Sequence, residues 1–423
     1  MHTLVFGLAL LAFGPAAALA LPLELPALPR EGPREGPREA PREGAREGAR
    51  EAACPPPPAA CTWARTFGAA DVDKLYALAP TADGGALVAG STRGPGRARE
   101  DGWTLKLDRA GGTLWERRDG GGDTEQLYGI VAAGDGGAFV AGHTRSAGAG
   151  ESDLWLARLD EDGRRLWDTT LGGPANDRAR ALAATADGGL VAAGFSVSAS
   201  AGGRDVWVVA LDRDGGVRWE RRFGGRANEM AYAVAAAGLE VEAGGVVVAG
   251  YRPRGRDFDA WLLRLDGDGE LLWQATLDRT PFDLATAVAF AGDDVVMAAT
   301  SRDDGLDVRL ARFDAAGALL WDRVLGGPGA ETIWALATTR TGYVLAGSTA
   351  SRGEGSQDVW LVGVDREDGT VRWQETHGGP LWERATSLAA LADGTLWVAG
   401  YTTSRGAGFE DGWVLRLDAR GRR

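Results

Sequence analysis

An all-β fold, a seven-bladed β-propeller of four-stranded blades, is what this 423-residue sequence predicts, on three observations. A block of about fifty residues recurs with the signature Asp-x-Trp-x-x-x-Leu-Asp-x-x-Gly-x-x-x-Trp, clearest at Asp101–Trp115 and Asp153–Trp167. Each block divides into four short β-rich runs separated by Gly/Asp turns. The last block lacks its fourth run, and a matching run stands alone at Thr62–Phe67. Repeats of this length built from strands form propellers or solenoids, and the displaced strand favours a closed ring.

The first block shows the element order. Its runs are Leu75–Pro80, Ala86–Ser91, Trp103–Leu107 and Thr113–Arg117. Ala82-Asp83-Gly84-Gly85 joins the first two as a hairpin, and Asp108-Arg109-Ala110-Gly111 joins the last two. A longer polar stretch, Thr92–Glu100, separates the second and third. First runs are small and apolar, as in Ala181-Leu182-Ala183-Ala184 and Ala231-Tyr232-Ala233-Val234, which suits strands crowded at an axis. Second runs end on glycine at Gly90, Gly142, Gly250, Gly347 and Gly400, a sign of close backbone approach. Units begin near Leu75, Leu127, Ala179, Ala231, Leu284, Ile333 and Ala385. With Trp63 in the slot that Trp115 and Trp167 fill elsewhere, the N-terminal strand completes the last blade and removes a free edge.

Thirteen of the 16 tryptophans fill the two signature slots: Trp103, Trp155, Trp207, Trp261, Trp360 and Trp413 in the first; Trp63, Trp115, Trp167, Trp219, Trp273, Trp321 and Trp373 in the second. Their expected role is packing between blades, since one tryptophan buries roughly 150–250 Å². Only the first slot of unit five departs, holding Arg309.

Outside the repeats the chain has a different character. Leu4–Ala20 is apolar and offers small-x-small cleavage sites at Ala16-Ala17-Ala18 and Ala18-Leu19-Ala20, so residues 1–20 read as an export signal. Its leading end has no Lys or Arg, and the alternative is an uncleaved run tethering the chain to a membrane. Residues 21–62 carry an Arg-Glu-Gly-Pro repeat that cannot bury a core and is expected to be a disordered linker, stiffened at Pro55–Pro58. The propeller is assigned to 63–418 and a C-terminal tail to 419–423. Cys54 and Cys61 lie outside the repeats; they form a small loop in an oxidising compartment or remain free thiols.

The net charge of −13 argues against nucleic acid or an anionic membrane as partner. Much of that charge is architectural. Three acids recur in all seven units, 21 of the 59 in the chain: the Asp before the first tryptophan slot, the Asp after the Leu, and an acid in the loop leading to the first strand. Such acids accept hydrogen bonds from turn amides. Asp266-Gly267-Asp268-Gly269-Glu270 and Asp212-Arg213-Asp214-Gly215 fall short of a calcium-loop pattern and are assigned to turns, so no metal is expected. Gly-x-Ser-x-Gly, HExxH and P-loop motifs are absent.

The block Leu-Asp-x-x-Gly-x-x-x-Trp resembles the tryptophan-docking motif of the quinoprotein β-propellers. Val364–Trp373 is the copy most similar to it, and the resemblance extends over about 63–418. It implies a propeller. Quinoprotein dehydrogenases have eight blades, a disulfide of adjacent cysteines over the cofactor and a calcium site with a catalytic aspartate. Here the propeller region has no cysteine and seven units, so the chain is more similar to the non-catalytic exported propellers, and no cofactor is expected.

Candidate contact residues follow from strand direction. Two loop classes share one face: the loops leading into first strands and the long loops between second and third strands. The lead-in acids Asp73, Glu125, Asp177, Glu229, Asp283, Glu331 and Glu383 stand near the axial mouth, with Tyr76, Tyr128, Arg180, Tyr232, Thr286, Trp334 and Thr386 three residues on. A carboxylate ring with aromatic neighbours suits a sugar or a cation; the alternative is that each acid caps its own loop. Farther out lie Arg93, Arg145, Arg252, Arg302, Arg352 and Arg405. Unit five also has Ala299 for the glycine, the shortest long loop and a lead-in, Asp278–Asp283, without Gly-Gly. Arg302, Arg309 and Phe282 there, with Trp382 at the last junction, are the preferred partner contacts. The expected function is an exported, monomeric, non-enzymatic module binding a protein or glycan at the cell envelope or outside the cell. The alternative is a quinone-dependent or carbohydrate-active propeller enzyme using channel carboxylates.

Overall fold

A computed structural model describes residues 62–94, 98–238, 244–302 and 305–423. The expected export signal, nearly all of the linker, and Cys54 and Cys61 lie outside the described residues. The described chain holds 28 strands and no helix. Blade one comprises an inner strand Asp73–Pro80, a second Ala86–Thr92, a third Asp101–Leu107 and an outer Thr113–Asp119, paired in that order. The same antiparallel order repeats around the molecule.

Inner strands lie side by side in chain order, and Glu383–Ala390 of the last blade returns to Asp73–Pro80 of the first. Seven blades therefore close into a ring. Trp63–Phe67 supplies the outer strand of the last blade, pairing with Asp411–Leu417 in the register Trp63↔Arg416 to Phe67↔Gly412. That strand hides the edge of Asp411–Leu417, and it joins the two ends of the described chain in one sheet.

Inner strands begin two residues earlier than the sequence suggests. Asp73, Glu125, Asp177, Glu331 and Glu383 are the first strand residues rather than loop residues, because each pairs with the end of its second strand, as Asp73 does with Thr92. Residues 419–423 differ too. They are not a tail but the signature turn of blade seven, where Asp418 Oδ1 accepts the amides of Arg420 at 2.8 Å and Arg422 at 2.9 Å.

Each major apolar cluster spans two neighbouring blades. Trp155, Leu127 and Val140 of blade two pack with Leu87 and Ala89 of blade one, and equivalent clusters fill the other boundaries. First-slot tryptophans are fully or nearly buried there, and in blades one to four and six their Nε1 atoms reach the residue after the second-slot tryptophan, as Trp103 does Glu116 at 3.0 Å and Trp207 does Glu220 at 3.1 Å.

Second-slot tryptophans reach forward to the next blade. Each packs on the glycine of the following signature turn, at Gly111, Gly163, Gly215, Gly269, Gly317, Gly369 and Gly421, all with φ between +70° and +88°. These glycines meet two demands at once: a left-handed turn and space for an indole. Trp115 Nε1 also donates to the Glu161 carbonyl at 2.8 Å, and Trp273 Nε1 to that of Ala315 at 2.9 Å.

Strands of the same blade also crowd at the axis. A methyl group on Gly90 would overlap the Lys74 carbonyl oxygen of the inner strand. In blades four and five the long loop is replaced by a longer ladder: Val246–Arg254 turns at once into Asp257–Leu265, and a parallel bridge from Phe258 to Phe282 joins the two sheets.

Candidate functional site

The seven lead-in acids are buried, and the three-residue spacing behind them sets what lines the axis. Asp73 accepts the Ala69 amide at 2.6 Å and the Thr92 hydroxyl. Glu125 accepts the Gly121 amide at 2.9 Å and the Thr144 hydroxyl at 2.8 Å; Glu331 and Glu383 repeat this with Gly327 and Thr349, and with Gly379 and Thr402. Asp283 accepts the amides of Arg279 and Thr280 and the Ser301 hydroxyl. A buried carboxylate needs such donors, so each acid folds the loop before it and fastens that loop to the second strand. The structure thus places these carboxylates beneath the surface, not around an open mouth.

Their electrostatics vary with their partners. Burial pulls the Asp177 carboxyl up, but hydrogen bonds from Ser196, Ser198 and the Gly173 amide outweigh it and hold the group below the usual range. At Glu229 the second strand offers Arg252 where other blades offer a hydroxyl, and the carboxylate accepts the Gly225 amide at 3.3 Å. Burial and the charge of Asp205 raise it.

What faces the axis is aromatic and cationic. Strand alternation points Tyr76, Tyr128, Arg180, Tyr232, Thr286, Trp334 and Thr386 around the channel. Tyr76 and Tyr128 stack at 4.9 Å between centroids, Arg180 lies 4.6 Å over Tyr128, and Tyr232 meets Trp334 at 6.5 Å. Two residues earlier on the inner strands stand Lys74, Arg178 and Arg384, nearer the long-loop face. Lys74 pairs with Glu410 at 3.0 Å and Arg178 Nε donates to Ser152 at 2.9 Å. Arg384 lies over Trp334 at 5.4 Å and Trp382 at 4.7 Å. Sequence reasoning missed Arg178 and Arg384, because their position holds no common residue type: Lys74, Gln126, Arg178, Met230, Leu284, Thr332 and Arg384.

The remaining candidates fall into separate groups. Phe282 contacts Phe258, and Arg302 sits 5.4 Å over it, so these two share one patch at the blade four–five junction. Arg309 occupies its tryptophan slot half-buried, with Asp322 at 3.7 Å; Asp322 also accepts Arg279 Nε at 3.0 Å. Trp382 meets Tyr401 at a 60° tilt with 5.5 Å between ring centroids, and it donates to Gln357. Phe409, on the long loop of blade seven, is 77% exposed.

Turn chemistry accounts for the calcium-like segments. Asp266 Oδ1 accepts the amides of Asp268 and Glu270 at 2.9 and 2.8 Å, and Asp212 Oδ1 those of Asp214 and Gly216. Among the described residues no group of three or more His, Cys, Asp or Glu is placed to hold a metal. No helix there is long and apolar enough to cross a membrane.

A family model described as outer membrane protein assembly factor BamB matches residues 152–357, running from the third strand of blade two into blade six. The repeats in this stretch are similar to that PQQ-like type. No curated protein matches the chain. Among solved structures, Chaetomium thermophilum Sqt1 bound to the N-terminus of ribosomal protein L10 is 14% identical, with a TM-score of 0.48, over 84% of this chain and 98% of that one. The Neurospora crassa Pan2 WD40 domain is 10% identical, with a TM-score of 0.49, over 87% and 100%. The Pseudomonas aeruginosa periplasmic gluconolactonase PpgL is 13% identical, with a TM-score of 0.47, over 72% and 85%. These identities and scores carry no functional inference.

Proposed function

We propose that the chain is an exported, non-enzymatic propeller that binds a protein or glycan partner through its long-loop face, at the axial mouth. The contrast between two sets of side chains carries the reading. Recurrent carboxylates, the natural material for acid–base chemistry, are spent on holding loop amides. Around the mouth, Arg180 and Arg384 lie among aromatic rings with no described carboxylate beside them. Rigid scaffolds present function on loops at one end.

Export rests on the apolar Leu4–Ala20 run, with cleavage or tethering as its two fates. The test compares partner capture by the wild-type chain, by Trp382→Ala on the long-loop face and by Glu367→Lys in a tight turn on the opposite face. Envelope extract and a glycan array are the two sources. Capture lost only in Trp382→Ala supports the reading. Dye reduction dependent on added pyrroloquinoline quinone and calcium, or glycoside turnover, would overturn it.

A further inference from the structure

The axial channel holds positive charge that no described carboxylate neutralises. Arg180 projects from the third inner strand into a nest of Tyr128, Tyr232 and Tyr76. Its Nε is buried without an acceptor. Arg384, nearer the mouth, lies between two indoles, and its Nε and the Trp334 Nε1 are also buried without acceptors. Blade five contributes only Thr286 at this level, where the Tyr232 and Trp334 rings come within 6.5 Å of each other. Burial and the charge of Arg180 pull the neighbouring Arg178 down to about 10, whereas at Arg180 burial is outweighed by Tyr128, Tyr232 and Tyr76, which raise it.

Arg180 has a hydrogen bond to Tyr128 but no carboxylate beside it, and a buried charge held only by neutral partners is costly, so its presence calls for a use. Two guanidiniums with no described carboxylate beside them, set among the aromatic rings of the inner strands, suit an anion. A planar guanidinium fork matches a carboxylate, and aromatic walls suit the methylene stem of an acidic side chain. The same walls offer few donors to a doubly charged, heavily hydrated phosphate.

We infer that the channel receives an acidic side chain from a peptide segment of the partner, which passes Arg384 at the mouth and ends beside Arg180. This rests on the reading of the long-loop face as a protein-binding surface. It adds the chemistry of the contact: a Glu or Asp inserted along the axis.

The test uses the whole chain and a blocked peptide, Gly-Ser-Glu-Glu-Ser-Gly, against its Gln-Gln twin and inorganic phosphate, read by calorimetry and tryptophan fluorescence. The acidic peptide is expected to bind roughly tenfold or more tighter than either control, and Arg180→Met to remove that preference. Arg180→Met is also expected to melt no lower than wild type, because it deletes an uncompensated charge; a structural arginine would lower the melting temperature. Arg384→Gln, at the mouth, must weaken the acidic peptide as well, and serves alone if Arg180→Met does not fold. Equal binding of the two peptides, no binding of the acidic one, tighter phosphate binding, or a preference that survives Arg384→Gln overturns the inference. Partner capture that persists while the peptides are not distinguished leaves the binding-face reading standing and removes this one.

Discussion

Trp115 and Gly163 meet across a blade boundary so closely that a methyl group on the glycine would lie 2.8 Å from the indole. Gly163 also holds a φ of +77°, which an L side chain adopts only with strain. Gly163→Ala therefore meets both penalties and is expected to destabilise by roughly 2–4 kcal/mol. Denaturant unfolding checks it, with Gly188→Ala as control: the same left-handed backbone, but open space around it.

The same contact from the other side gives a second expectation. Trp167 rests on Gly215 in the next blade, and Trp167→Ala should lose about 3–5 kcal/mol. A thermal unfolding shift of no more than a degree or so would contradict an inter-blade role.

Ring closure depends on Trp63–Phe67. Trp63 meets Trp397 edge-on at 5.2 Å and donates to the Arg109 carbonyl of blade one at 3.1 Å. A chain beginning at Ala69 is expected to melt lower and to self-associate through the bared edge of Asp411–Leu417, whereas one beginning at Thr62 should not. Light scattering and thermal melts of the two chains decide it.

Acid should weaken the fold below pH 6.5 through two buried histidines. His143 is buried and, beside Arg178, Arg180 and Arg145, is held well below its ordinary 6.5. His377 is lowered mainly by burial. The unfolded chain takes up these protons near pH 6.5 while the folded chain resists, so the contribution is full above 6.5 and is lost as pH falls toward the folded values. Each histidine adds a slope of about 1.4 kcal/mol per pH unit within that window. His143→Gln should flatten the stability profile between pH 6.5 and 5, measured by urea unfolding.

Blade five offers a gain. Arg309 leaves its Nε buried without an acceptor, while Asp322 stands where Glu116 and Asp168 accept a tryptophan Nε1 in other blades. Arg309→Trp is expected to raise stability by about 1 kcal/mol. An unchanged or lower unfolding midpoint would show that the arginine already fits its slot.

The ring was legible because its constraints repeat. Asp108, Gly111 and Trp115 are each required by one turn and one boundary, so seven copies preserve the spacing. The acids were legible as positions but not in direction. Nothing in the sequence says that Asp73 turns toward the Ala69 amide and the Thr92 hydroxyl instead of toward water. Arg178 and Arg384 were hidden for the opposite reason: the position that faces the channel mouth is different in nearly every blade. The turn at Asp418–Arg422 is harder to see in the sequence, because the outer strand that completes its blade is Trp63–Phe67, although Asp418 and Gly421 preserve the turn.

The tryptophans pack between blades, whereas the channel cations are proposed to serve a ligand. The unfolding midpoint of Arg180→Met tests that separation most directly. It is predicted to equal or exceed the wild-type value. A clear decrease would contradict the account, because it would make Arg180 part of the same structural framework as Trp115 and Gly163.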